Sequence, residues 1–307
     1  MPHETLRIPQ PADDSTDCVI VATLELNDSS PRDGNPRPIA LILHGVMGHK
    51  DYLFQKRLAK RLPMDSCRFD FRGNHETGGK WSIGGLADDV EDIKAVVRYL
   101  TTVLGYTVAL VIGHSRGSVT GMKWASTTAE GSAILGYVNV AGRYRMEREV
   151  SPLGTHRTHF IEPHVHDSPT ARLKAQQLEE AREKGYWVMS ARVAGTEVHR
   201  KCYPDSFEEF TSWDTSYVST EFPPRADALT IQGLADKVIP PFDGILYAHA
   251  LSGRSGVTHT LHLVEEADHN FVGFHDDLVE TIVAWWNRKQ QGMLKDGLWI
   301  VNERTKM

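Results

Sequence analysis

The chain has 307 residues, 40% of them hydrophobic and 24% charged, which is room for one or two soluble domains with a sizeable core. Its net charge of −6, without any basic stripe, excludes the electrostatic footprint of a nucleic-acid binder, and no apolar run reaches the roughly eighteen residues of a membrane span. Three widely spaced cysteines (Cys18, Cys67, Cys202) are too few for a disulfide framework, and the acidic, Pro-rich start has no apolar signal segment, so the expected setting is cytoplasmic, with reduced thiols.

Residues 1–17 read as a loose polar arm. Cys18 to Leu26 is rich in β-branched residues and predicts a strand. Ile39 to Leu43 is a short aliphatic run suited to a strand buried on both faces, and it ends at His44-Gly45. A helix is expected over Tyr52 to Leu62, and a second buried strand over Cys67 to Phe71. Leu86 to Leu104 then carries Leu86, Val90, Ile93, Val96, Val97 and Leu100 at helical spacing. Val108 to Ile112 predicts another buried strand, followed by a glycine-bracketed turn, a helix to about Ala125 and a strand over Ile134 to Val140. The alternation stops at Gly142 and returns at Ala226, with strands at Ala228–Gln232 and His259–Val264 and helices at Phe242–Leu251 and His275–Trp286. Strand–helix alternation with short linkers implies a mostly parallel sheet covered by helices on both faces. The expected organisation is a core of residues 18–142 and 226–307, interrupted by an insertion at 143–225. Gly297 to Val301 is an apolar patch that can dock on the body or on a second copy of the chain as a homodimer.

Gly113-His114-Ser115-Arg116-Gly117 matches G-x-S-x-G, between a buried strand and a helix. That context puts Ser115 on a sharp strand-to-helix turn, beside the free N–H groups of a helix N-terminus. A serine nucleophile needs a base and an acid to orient that base. His269 follows the last predicted strand, at the strand ends that also carry Ser115. Asp236 follows the strand at 228–232, and it is favoured over Glu147 and over Asp268, which cannot easily fold back onto its neighbour's ring. The chain order Ser115, Asp236, His269 is the α/β-hydrolase order.

On these residues, with His44-Gly45 and Asp70-Phe71-Arg72-Gly73 after successive strands, the chain resembles the α/β-hydrolase superfamily. Within it the chain is most similar to intracellular carboxylesterases of the cinnamoyl (feruloyl) esterase type. The resemblance implies an oxyanion hole formed by the backbone amides of Arg116 and Val46. It also implies that the insertion is a cap over Ser115, with His44, Met47, Trp187 and Trp213 as expected substrate contacts. The Arg116 side chain is expected to pair with a carboxylate near the sheet edge rather than with substrate.

Ten aromatic residues fall in the insertion, enough to line a pocket for an acyl or aryl group as well as to build the insertion's own core. The histidines 156, 159, 164 and 166 read as an exposed polar loop rather than a metal site, and residues 171–184 as a solvated helix. The expected function is hydrolysis of small to medium carboxylic esters through an acyl-enzyme, needing neither metal nor organic cofactor, with a small-molecule ester as partner. A thioesterase, lipase or lactonase on the same residues remains open. So does a hydrolase-fold ligand receptor with slow turnover.

Overall fold

The structure, a computed structural model, describes residues 2–10, 18–27, 37–146 and 179–302. Its strands in chain order are β1 (His3–Pro9), β2 (Val19–Glu25), β3 (Arg37–Leu43), β4 (Asp65–Phe69), β5 (Tyr106–His114), β6 (Gly136–Val140), β7 (Trp187–Val193), β8 (Thr196–Cys202), β9 (Asp227–Gly233), β10 (His259–Val264) and β11 (Leu298–Asn302). The helices are α1 (Gln55–Arg61), α2 (Leu86–Thr102), α3 (Arg116–Thr127), α4 (Ala129–Ser132), α5 (Pro204–Thr211), α6 (Tyr217–Thr220), α7 (Pro241–Leu251) and α8 (His275–Gln290), and residues 179–184 are also helical.

Nine strands form one sheet in the order β1-β2-β4-β3-β5-β6-β9-β10-β11. The β1–β2 and β2–β4 pairs are antiparallel, and every other pair is parallel. The expected α/β-hydrolase layout is therefore the one observed. Helices α2, α3 and α7 pack on one face and α1 and α8 on the other, each face with its own apolar cluster. The six apolar positions that predict α2 are all buried, each contributing about 1.5–3 kcal/mol over its exposed state. Because the core strands are parallel, the loops after β3, β5, β9 and β10 all emerge at one end of the sheet, which gathers residues far apart in sequence.

The structure corrects one expectation, decides a second and adds a hairpin. The arm at 1–17 contains β1, which pairs with all of β2. Only Leu6 and Ile8 of β1 are buried, so the segment reads as polar although its backbone is fully engaged. The patch at Gly297–Val301 falls on β11, which adds in parallel to β10, so of the two expected dockings the one on the body is observed. The insertion contains a hairpin, β7–β8, joined by Ala194-Gly195 with φ of 47° and 86°. Two successive positive φ values give the mirror-image turn whose twist suits a hairpin. Of the helix expected at 171–184, only residues 179–184 are described, and the histidines at 156–166 lie outside the described residues.

No helix among the described residues is long and apolar enough to cross a membrane. All three cysteines are free, and burial pushes the Cys67 thiol up to about 12.

Candidate active site

Ser115 begins directly after β5 with φ 53° and ψ −121°, outside the ordinary regions for a residue with a side chain. The turn holds this shape because its neighbours leave no room for another. A Cβ on Gly113 would lie 2.4 Å from the Ser118 Cα, and one on Gly117 would lie 2.4 Å from the His44 carbonyl oxygen. Both obstacles are backbone and cannot rotate away.

The His269 ring spans Ser115 and Asp236. Its Nε2 is 3.0 Å from the Ser115 Oγ, and its Nδ1 is 2.9 Å from the Asp236 Oδ2. With Nδ1–H donating to the carboxylate, Nε2 is left to accept the serine proton. Asp236 is itself held rigidly. Its Oδ1 accepts from the Val238 and Ile239 amides at 2.8 Å, and its Oδ2 accepts from the Gln232 Nε2 at 3.1 Å. Burial alone would raise the Asp236 carboxyl. The bonds from His269 and from the two amides outweigh it and hold the group below the ordinary carboxylate range.

The rival acid next to the base has another task. The Asp268 carboxylate accepts from the amides of Asn270 and Val272 at 3.1 and 3.0 Å, closing the loop that presents His269. Fully buried Phe271, at φ 54°, anchors that loop. Glu147 lies outside the described residues.

After β3, the Gly48 amide donates to the Gly45 carbonyl at 3.1 Å, closing a tight turn with Met47 in the left-handed region at φ 51°. Val46 sits at the top of this turn. The amides of Val46 and Arg116 donate to no acceptor among the described residues, and both residues border the cavity that contains Ser115.

The Arg116 side chain turns away, as expected. Its Nε donates to the Asp89 Oδ2 at 2.6 Å and its Nη1 to the Ile83 carbonyl, both buried. Burial pushes the Asp89 carboxyl up despite the guanidinium beside it. Removing one partner of such a pair leaves an uncompensated buried charge. Arg116→Ala is therefore expected to cost about 3–5 kcal/mol in urea unfolding, and less at low pH, where Asp89 can take up a proton. An unchanged midpoint would mean the pair is worth little.

Of the four expected substrate contacts, only Trp187 lines the cavity. His44 is a buried brace for the turn: its Nδ1 meets the Gly45 carbonyl at 2.8 Å, and its Nε2 accepts from the Phe71 amide at 3.0 Å. Burial pushes its imidazole down to about 3, so it stays neutral. Met47 is buried beneath the same turn. Trp213 packs behind the cavity wall against Leu86, Val119 and Met146, and its Nε1 donates to the Tyr217 hydroxyl at 3.4 Å.

The cavity measures about 500 Å3 and runs from Ser115 under the insertion. Met189, Phe207 and Phe210 join Trp187 on its insertion side. Two sequence signals could have found them: Trp187 and Met189 lie two apart on a strand, and Phe207 and Phe210 three apart on a helix. His114 also borders the cavity. Its Nε2 donates to the His269 carbonyl at 2.9 Å, and burial pushes its imidazole down to about 3. Elsewhere, Asp70, His75 and Glu76 bring ligand-type atoms within 4.8 Å of one another. The Lys50 ammonium pairs with Glu76 and lies 3.7 Å from Asp70, so this acidic cluster is already met by a lysine.

The fold and the serine elbow define an α/β-type serine hydrolase. Residues 34–275 match the family described as serine aminopeptidase, S33 (Hydrolase_4), and the chain belongs to that family. It is 27% identical over 261 residues to the uncharacterised Saccharomyces cerevisiae protein YDL057W, spanning 78% of this chain and 70% of that one. Among solved structures it is similar to the ferulic acid complex of Est1E from Butyrivibrio proteoclasticus, with a TM-score of 0.66, 15% identity, and 93% of this chain and 99% of that chain covered. The esterase domain of a Rhodothermus marinus protein matches with a TM-score of 0.59, 19% identity, and 94% and 99% coverage.

Proposed function

We propose that the chain hydrolyses carboxylic esters of small to medium acyl or aryl acids. The observation that carries this reading is the hydrogen-bonded series Ser115–His269–Asp236, set beside two uncommitted amides at the wall of an apolar cavity.

Ser115 attacks the acyl carbonyl as His269 takes its proton. The tetrahedral oxyanion is received by the Val46 and Arg116 amides, each worth about 3 kcal/mol to the transition state. His269 then returns the proton to the leaving alcohol, and Asp236 stabilises the imidazolium throughout. Water activated by the same imidazole frees the acid and restores the serine. The insertion acts as a cap. Its Trp187, Met189, Phe207 and Phe210 offer a soft apolar wall to the acyl or aryl group, and about 500 Å3 falls within the range of small-ligand sites.

The family description names aminopeptidases. An aminopeptidase must hold the free ammonium of its substrate, and the natural holder is a carboxylate. Among the described residues lining the cavity there is none, and the permanently charged side chains are Arg116 and Arg143. This favours ester substrates.

The test is a panel of p-nitrophenyl esters from acetate to palmitate, with methyl ferulate and leucine p-nitroanilide. Ester turnover with a chain-length optimum is expected, with little release from the anilide. An optimum that moves to longer chains in Phe210→Ala would assign the acyl group to the cap wall. Anilide turnover equal to that of the esters would support a peptidase instead. Absence of both turnover and fluorophosphonate labelling would leave a ligand-binding protein.

A further inference from the structure

A second cavity, of about 250 Å3, lies between the far end of the sheet and α8. Its floor departs from the pattern of the layer it belongs to. Along β10, Thr260 and His262 face α8. Their cross-strand partners are Leu229 and Ile231 on β9 and Leu298 and Ile300 on β11. An otherwise aliphatic surface thus carries a hydroxyl and an imidazole. His262 is only 5% exposed, has no hydrogen-bond partner among the described residues, and borders the cavity. Burial pushes its imidazole down, so the ring is neutral and offers one donor and one acceptor. The ring nitrogens open onto the cavity, where a ligand hydroxyl can meet them.

The rim has the opposite character. Arg288, from the last turn of α8, and Lys295, from the loop before β11, are exposed and form no ion pair among the described residues. The acids nearby are engaged elsewhere: Asp227 holds Lys289, and Asp296 accepts from the Gly253 and His259 amides at 2.9 Å. Trp285 and Ile300 supply apolar wall between floor and rim. The volume is just under the range of about 300–1,000 Å3 for drug-sized ligands, so the occupant is smaller.

We propose that this cavity binds a small hydroxylated carboxylic acid, with its carboxylate between Arg288 and Lys295, its apolar body against Trp285 and Ile300, and its hydroxyl on His262. The site shares no lining residue with the Ser115 cavity and does not depend on what that cavity hydrolyses.

The test is calorimetric titration of the full chain with 4-hydroxyphenylacetate. Two analogues each lack one polar end: phenylacetate has no hydroxyl, and 2-(4-hydroxyphenyl)ethanol has no carboxylate. Each loss is expected to weaken binding about tenfold. The double variant Arg288→Ala/Lys295→Ala should abolish the advantage of the acid over the alcohol, and His262→Phe the advantage of the hydroxylated acid over phenylacetate. The rim variant changes only exposed side chains and so retains the fold, and it decides the matter if His262→Phe does not fold. No measurable binding, or an acid preference unchanged in the rim variant, overturns the proposal.

Discussion

Ser115→Ala is expected to lower kcat for p-nitrophenyl ester hydrolysis by at least about 10^4-fold, and towards about 10^6-fold if background is low, with no loss of stability. In the proposed mechanism the variant keeps only the oxyanion amides and substrate binding. The stability half of the experiment is as informative as the kinetic half. At φ 53° and ψ −121°, Ser115 stores backbone strain of about 1–3 kcal/mol. Alanine keeps a Cβ and therefore keeps the strain. Glycine relieves it, at an entropic cost of about 0.5–1 kcal/mol. Ser115→Gly should thus be as inactive as Ser115→Ala yet about 1 kcal/mol more stable in urea unfolding. Retention of more than about 1% of wild-type activity in either variant would mean that another residue attacks. Equal stability of the two would mean the elbow is not strained.

Asp236→Asn is expected to lower kcat by about 10^4-fold while leaving KM within a few-fold. The carboxylate accepts four hydrogen bonds, from His269, Gln232, Val238 and Ile239. An amide presents an NH2 to one pair of those donors, and the His269 ring then loses the partner that fixes its tautomer. The same residue predicts a pH effect on stability. Because the folded state holds the Asp236 carboxyl below its ordinary range, the stability it contributes is fully present above the unfolded carboxylate pKa of about 3.9 and is lost as pH falls through the lower, folded value. The gap in melting temperature between wild type and Asp236→Asn should therefore be constant near neutrality and narrow below about pH 4. A gap that widens on acidification would mean the carboxyl is raised by burial rather than held down by its donors.

The central elements and the Ser115, Asp236 and His269 constellation were legible in the sequence because both rest on strong local signals. Buried parallel strands appear as unbroken aliphatic runs such as Ile39 to Leu43, and a G-x-S-x-G turn between strand and helix has few other structural explanations. The edges were not legible. In β1 only Leu6 and Ile8 turn inward, so hydropathy reports its solvent side while its stability comes from backbone pairing to β2. The β7–β8 turn uses Ala194-Gly195 in place of the Asn-Gly or Asp-Gly that announces such turns. Substrate contacts were harder still. His44 and Met47 sit in the loop nearest the serine, yet both side chains are buried in the body while Val46 between them borders the cavity. Trp213 is an aromatic of the insertion, but Leu86, Val119 and Met146 stand between it and the substrate space. Proximity in sequence fixes the backbone far better than it fixes which way a side chain faces.

The bond from the His114 ring to the His269 carbonyl has a mechanical meaning. A base carried on a surface loop would ordinarily drift with that loop, and its distance to the nucleophile would breathe on the loop's own timescale. Here the residue preceding Ser115 grips the His269 backbone, so serine and histidine share one frame, the end of β5. Beyond His269 the same loop is closed by Asp268 and anchored by buried Phe271, so the Ser115–His269 spacing is held from both sides.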